Sequence, residues 1–592
     1  MLRRFNFASR PAQSAAQSAA LLLALLSALP AQAQLPEPVA YVMQANHIPD
    51  DALSVLVLRD NQTIVSHLAD HPMQPASTMK LVTTLVGLER LGPVFRGRTE
   101  LRTAGELHGD VLAGDLYLRG GADADFSTET LTGMLRKLRN AGIRKIDGRL
   151  IVDRQVFNPA RLDLNLPPFD ESPEAAYNVI PDAAMVNKNL LQIDMRSTSG
   201  KLKLALQPEL QGVTVDSDMK LVNAACVDWE SGWKLPEAVP QPDGGIKVML
   251  HGTFPKNCET VNAISVIDRQ AYLDRLFRAA WKQLGGSISG DTTEGATPPS
   301  TRLLADHLSR ALPEIVRDTN KPSDNTLARL IFLSLGALEA DPLLGSRPQV
   351  FKPALAVGAG STASAATGAG ASAATSTLNN ATTSATPYAG ASTSAGTNDA
   401  SADGVPTLAR ADAAVRAWMN QHGIDDRGLV LENGSGLSRS ERITPLQMGA
   451  VLQAGLRSNW APEFQSSIPI VAVDGTMRRR LHDSPAAGRA RLKTGTLRNV
   501  TAIAGYVPDA SGRQCVVVAF VNSELAANGH GRAVLDSLVD WVARLNPPPG
   551  STTPGQPLPL QLQPQPLQPQ PAAPLPPTAP PSTTPAPAAT GA

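Results

Sequence analysis

The chain is poor in cysteine, in net charge and in long apolar runs. Its 592 residues hold three cysteines, Cys226, Cys258 and Cys515. An oxidising compartment then permits one disulfide. Cys226 and Cys258 lie close in sequence and flank a loop-like segment, so they are the expected pair. Cys515 sits in the apolar run CVVVAF and reads as a buried thiol. Basic and acidic residues balance at 53 each, which argues against a nucleic-acid partner, since that needs a basic surplus. Among nine histidines no metal-ligand spacing stands out and no His-Glu-x-x-His occurs, so neither a metal nor a cofactor is expected.

The one long apolar run, AALLLALLSALP, lies near the start. Arg3 and Arg4 precede it, and the small-x-small site Ala31-Gln32-Ala33 follows it. Residues 1–33 thus read as a secretory signal. The run is too short for a membrane span, which needs ~20 residues. The mature chain is expected to be exported, without a membrane span. Charge is missing altogether from 354–398, where Ala, Ser, Thr and Gly dominate, and from 547–592, where Pro, Gln and Ala recur. Such segments cannot bury enough apolar surface to form a core. The first reads as a low-complexity linker, the second as a Pro-rich tail.

What remains has clear patterning. SVLVLRDNQTIVSHL reads as two strands around Asp60-Asn61, and TAIAGYVPDASGRQCVVVAFVNS as a hairpin turning at Asp509 to Gly512. HGRAVLDSLVDWVARL reads as a helix with Val534, Leu535, Leu538, Val542 and Leu545 on one face. An antiparallel sheet built from both chain ends and flanked by helices is the simplest assembly, an α+β fold. Residues 96–297 hold short alternating runs such as DGRLIVD, KLKLALQPEL and IKVMLHG, with one clear helix at TETLTGMLRKLRNAG. They read as an inserted, mainly β unit without an evident catalytic constellation. The catalytic domain then comprises 34–95, 298–353 and 399–546.

PASTMKLVTT places Ser77 three residues before Lys80. Ser-x-x-Lys alone is weak, and Ser217-Asp218-Met219-Lys220 is a second match. The latter follows the strand-like GVTVD, where positions i and i+3 face opposite sides. Ser77 follows Pro75 at a helix start, where i and i+3 share a face, so the Lys80 amine can reach the serine oxygen. The helix end also offers free N–H groups and partial positive charge. Dense apolar residues after Lys80 imply partial desolvation, which lowers an amine's pKa and lets it accept the serine proton. Two further triplets follow in order. Ser323-Asp324-Asn325 precedes the apolar helix TLARLIFLSLG, and Lys493-Thr494-Gly495 lies in the strand-like ARLKTGT.

Ser-x-x-Lys, Ser-Asp-Asn and Lys-Thr-Gly in this order are the set of the penicillin-recognising serine acyl-transferases. The expected roles follow from their chemistry. Ser77 is the nucleophile and Lys80 its base. Ser323 and Asn325 relay the proton and hold the substrate amide. Lys493 supplies positive charge, and with Thr494 and Thr496 it binds the substrate carboxylate. The backbone N–H groups of Ser77 and Thr496 form the oxyanion hole. Gly495 lets the substrate backbone approach the strand edge.

The long gap between Ser77 and Ser323 is more than a single-domain β-lactamase carries. With it the chain resembles the class C low-molecular-mass penicillin-binding proteins, the D-alanyl-D-alanine carboxypeptidase/endopeptidase family, over roughly Pro36 to Leu545. GDLYLRGGADADFS, AGIRKIDGRLIVD, ENGSGLSRSERITPLQM and VAVDGTMRRRL are similar to that family's segments. Glu432-Asn433 stands where an acidic residue is usual, and Ala124 where the family has proline. The resemblance implies a transpeptidase-like domain with a large insertion. It acts in the periplasm on peptidoglycan stem peptides and cross-links, with β-lactams as covalent inhibitors. The oligomeric state stays open, a homo-oligomer included. Two alternatives remain: a β-lactamase-like hydrolase, and a non-catalytic peptidoglycan-binding scaffold.

Overall fold

Strands from early and late in the described chain meet in one sheet. In a computed structural model describing residues 35–60, 62–350 and 404–546, strands β1 (Leu53–Arg59), β2 (Gln62–His67), β3 (Arg491–Leu497), β4 (Val500–Pro508) and β5 (Gln514–Asn522) are ordered β2-β1-β5-β4-β3. Every pairing in it is antiparallel. The expected signal 1–33, linker 354–398 and tail 547–592 lie outside the described residues. Asp60, with φ 51°, turns the first hairpin; aspartate tolerates this left-handed region better than most residues.

The sheet is covered on both faces, which explains why β5 is an unbroken apolar run. Val517, Ala519 and Val521 point one way, onto α1 (Glu37–Ala45) and α5 (His530–Ala543), beside Val39, Val534 and Leu538. Val516, Val518 and Phe520 point the other way, into a core shared with α2 (Lys80–Arg90), α3 (Asn325–Leu335) and α4 (Pro445–Arg457). Cys515 is buried on the first face, and burial pushes its thiol up to about 12. Helix α2 stops at Gly92, whose N–H bonds Leu88 O at 3.2 Å and whose φ is 78°, and Pro93 cannot continue it.

The inserted region is built of sheets with two long helices, Thr128–Asn140 and Arg269–Gln283, over its own core of Leu118, Val152, Ile193, Leu250, Phe277 and Trp281. Its main sheet runs further along the chain than the expected limit at 297. Strand Arg302–Leu308 pairs antiparallel with Arg98–Thr103, so the insertion closes on itself only as the chain returns to the catalytic domain. The alternation in RLLADHL is too irregular to reveal this. Among the described residues no helix is long and apolar enough to cross a membrane.

Cys226 and Cys258 form a disulfide across a sequence separation of 32. It joins the turn Cys226–Gly232 to the start of strand Glu259–Ile264. Replacing both cysteines by serine is expected to cost about 2–4 kcal/mol of stability by loosening the unfolded chain. Thermal denaturation and non-reducing peptide mapping check this. Three free thiols in protein from an oxidising compartment, or an unchanged melting midpoint, overturn it.

Candidate active site

Ser77 lies not in the α-helix proper but in a 3₁₀ turn, Ala76–Met79, which leads into α2. It makes no side-chain cap. Side chains three apart eclipse in a 3₁₀ turn, so the tighter geometry serves the pairing better than an α-turn: Lys80 Nζ lies 2.9 Å from Ser77 Oγ. The turn begins at Ala76 with φ 44°, a strained value for a residue with a Cβ, of the kind that clusters at functional sites.

Lys80 is wholly buried. Its Nζ also lies 2.6 Å from Asn325 Oδ1 and 2.6 Å from Ser435 O. Both are acceptors only. A neutral amine has two hydrogens and one lone pair. If the hydrogens go to those two oxygens, the lone pair is left facing Ser77. Burial lowers the Lys80 pKa to about 7 with help from the Arg329 charge, against the opposing pull of Glu441 and Asp324. The structure therefore holds a base at the serine whose lone pair becomes available around neutral pH.

Asp324 caps α3 by accepting from Leu327 N at 2.9 Å, and so presents Ser323 and Asn325 at the helix mouth. Ser323 has φ 69°, and its Oγ is 2.8 Å from Lys493 Nζ. Asn325 Nδ2 donates to Tyr177 O at 3.0 Å, which fixes the amide so that Oδ1 faces Lys80. Tyr177 belongs to the insertion, from which the sequence placed nothing in the site. Lys188, also of the insertion, pairs with Asp324. Arg329 donates to Asn178 O and Val179 O at 3.2 and 3.1 Å. The insertion, read from sequence as lacking an evident catalytic constellation, thus braces α3 through three main-chain carbonyls and Lys188, in contacts that link residues 136 to 151 positions apart, beyond the reach of any local pattern.

Lys493, on β3, is also wholly buried. Its Nζ lies 2.8 Å from Thr494 O as well as from Ser323 Oγ. Burial, and then the neighbouring Lys80 charge, hold it well below the usual lysine range. Thr494 Oγ1 donates to Thr476 Oγ1 at 2.7 Å, and Thr496 is exposed. A Cβ on Gly495 would stand 2.7 Å from Pro75 O and 3.0 Å from Ser77 N, so only glycine lets this strand lie against the Ser77 turn.

Besides Tyr177 and Lys188, sequence reasoning missed three members of this constellation. Thr476 and Ser435 lie in GTMRRRL and GSGLSR, segments noted for their resemblance but given no role. Gly436, with φ 78°, brings that second loop so close that a Cβ there would stand 1.8 Å from Ala76 O. The third, Glu441, accepts backbone N–H groups from the same loop. The rival Ser217 and Lys220 sit differently. Ser217 ends strand Val213–Ser217 and its Oγ accepts from Met219 N at 3.0 Å, while Lys220 is exposed.

A profile of the D-Ala-D-Ala carboxypeptidase 3 (S13) family matches residues 36–357 and 397–545. The chain is 27% identical over 502 residues to a D-alanyl-D-alanine carboxypeptidase of Actinomadura sp. (strain R39), covering 81% of this chain and 78% of that protein. It is 24% identical over 470 residues to the D-alanyl-D-alanine carboxypeptidase DacB of Haemophilus influenzae, covering 78% and 84%. Penicillin binding protein 4 (dacB) from Haemophilus influenzae shares the fold, with a TM-score of 0.64 at 21% identity over 86% of this chain and 100% of that one. That protein is also known as a complex with a β-lactam.

Proposed function

The chain belongs to the D-Ala-D-Ala carboxypeptidase 3 (S13) family, and on that premise we propose that this serine-type D-alanyl-D-alanine carboxypeptidase works through a Ser77 acyl-enzyme. The observation that carries the reading is the Lys80 amine, 2.9 Å from Ser77 Oγ and 2.6 Å from each of two acceptor-only oxygens. Ser77 Oγ attacks the carbonyl carbon of the penultimate D-alanine while its proton passes to Lys80 Nζ. The N–H groups of Ser77 and Thr496 hold the oxyanion. The C–N bond breaks as the proton taken up by Lys80 passes on to the leaving amine, with Ser323 Oγ, which lies against Lys493, as its last donor. Water then cleaves the ester and restores Ser77.

Lys493 gives the site its preference for a carboxylate. Unliganded, burial favours its neutral form. A substrate carboxylate at Thr494 and Thr496 favours the ammonium instead, because an opposite charge nearby raises an amine's pKa. A D-alanyl-D-alanine terminus carries such a carboxylate. So does a cross-link in which D-alanine is joined to the side-chain amine of a diamino acid. The same residues therefore serve carboxypeptidase and D,D-endopeptidase cleavage. Penicillins, with an acyl bond beside a carboxylate, are covalent inhibitors on this reading. Peptidoglycan substrate together with the expected signal 1–33 puts the site of action in the periplasm.

Digestion of purified muropeptides tests the proposal. Pentapeptide monomers are expected to lose one D-alanine and cross-linked dimers to fall to monomers. Trimmed monomers with persistent dimers at high enzyme concentration overturn the endopeptidase half. A fluorescent penicillin separates the alternatives: slow release of label fits this proposal, rapid release marks a β-lactamase-like hydrolase, and no labelling marks a scaffold.

A further inference from the structure

Glu441 is fully buried and takes no part in the chemistry above. Its Oε1 accepts three backbone N–H groups, from Glu432, Asn433 and Gly434, at 3.2, 3.0 and 2.9 Å. Its Oε2 is buried without a hydrogen-bond partner among the described residues. The loop it gathers continues directly to Ser435, whose carbonyl lies 2.6 Å from Lys80 Nζ. Thr83 of α2 anchors the same loop by donating to Gly434 O at 2.6 Å. Glu432 turns its own carboxylate to the Ser438 and Ser440 hydroxyls, and the amides of Glu432, Asn433 and Gly434 are held by the Glu441 carboxylate from further along the loop.

We propose that Glu441 is the positioning residue of the Lys80 base: its carboxylate pins the loop that aims the Ser435 carbonyl at Nζ, and its negative charge biases Lys80 toward the ammonium. This inference rests on the reading of Lys80 as base. Three N–H groups converging on one oxygen favour the ionised carboxylate. Burial, with Glu432 adding like charge, pulls the other way and raises its carboxyl. Around Lys80, Asp324 from the turn before α3 acts with Glu441, while Arg329 from α3 opposes it. Lys493 on β3 is itself held toward the neutral amine by burial and then by the Lys80 charge, and Lys188 of the insertion is paired with Asp324. Glu441 thereby checks the effect of burial, so that Lys80 titrates near neutral pH.

The test is the pH dependence of acylation by a fluorescent penicillin, in the full-length wild type, Glu441→Gln and Arg329→Gln, each checked by thermal denaturation. Glutamine keeps an oxygen for the three amides and removes the charge. Its rising limb is expected about one pH unit below that of the wild type. Arg329→Gln removes the opposing cation and is expected to move the limb the other way. A purely structural Glu441 lowers the plateau and leaves the limb in place, so superimposed limbs, or an alkaline shift in Glu441→Gln, overturn the inference. If that variant does not fold, Arg329→Gln decides: an alkaline shift supports the charge balance and an unmoved limb overturns it. A wild-type profile flat through neutrality overturns the base assignment itself, and this inference with it.

Discussion

Ser77→Ala is expected to abolish covalent penicillin labelling and to lower D-alanine release by about 10⁴-fold or more, the scale of losing a nucleophile that acts as one unit with its base. The change removes one oxygen. No helix cap is lost with it, because Ser77 caps neither the 3₁₀ turn nor α2. The turn is held instead by Thr78 Oγ1 on Pro75 O at 2.7 Å and by the buried Ala76 and Met79. The variant should therefore fold, and the loss reads the chemistry directly. Ser217→Ala, on an insertion strand, should label like the wild type. Labelling that survives in Ser77→Ala, or that is lost only in Ser217→Ala, overturns the assignment.

Lys80→Arg is expected to lower acylation by about 10²–10⁴-fold at every pH, the usual span of a positioned general base. Arginine keeps the positive charge but does not lose its proton at any workable pH. If Lys80 served only as a cation, arginine would substitute in part. If it is the base, no pH rescues the variant. The wild type supplies the contrast. Its base must be neutral to accept the Ser77 proton, and burial places its titration at about 7. Acylation should rise with pH through that point, falling about tenfold per unit on the acid side and levelling above it. Rapid-mixing measurements with a fluorescent penicillin between mildly acid and mildly alkaline pH check both proteins. A pH-dependent recovery in Lys80→Arg, or a wild-type rate that falls as pH rises through neutrality, sinks the general-base role.

The residues legible in the sequence were those whose partners are near in the chain or whose pattern is regular. Ser77 and Lys80 are one turn apart. The apolar runs of β1 and β5 and the amphipathic α5 each reported their own burial, because side-chain direction repeats every two or 3.6 residues whatever the rest of the fold does. The triplets at Ser323 and Lys493 were legible as motifs, although nothing local says that they meet. Their meeting is tertiary. Asn325 comes to Lys80 across 245 positions, Ser435 across 355, and Lys493 to Ser323 across 170. Only a sheet that joins strands from 53–67 to strands from 491–522, with α2 and α3 packed on one face, sets these distances. Tyr177, Lys188, Thr476 and Glu441 escaped a reading by residue type for the same reason. Two of these contacts use main-chain atoms, the Tyr177 carbonyl and the amides gathered by Glu441, and every residue carries such atoms. The sequence by itself determined which groups could do chemistry and which strands could form. The tertiary structure decided the state of those groups, because the burial that lowers Lys80 and the charge that restrains it come from segments hundreds of residues away.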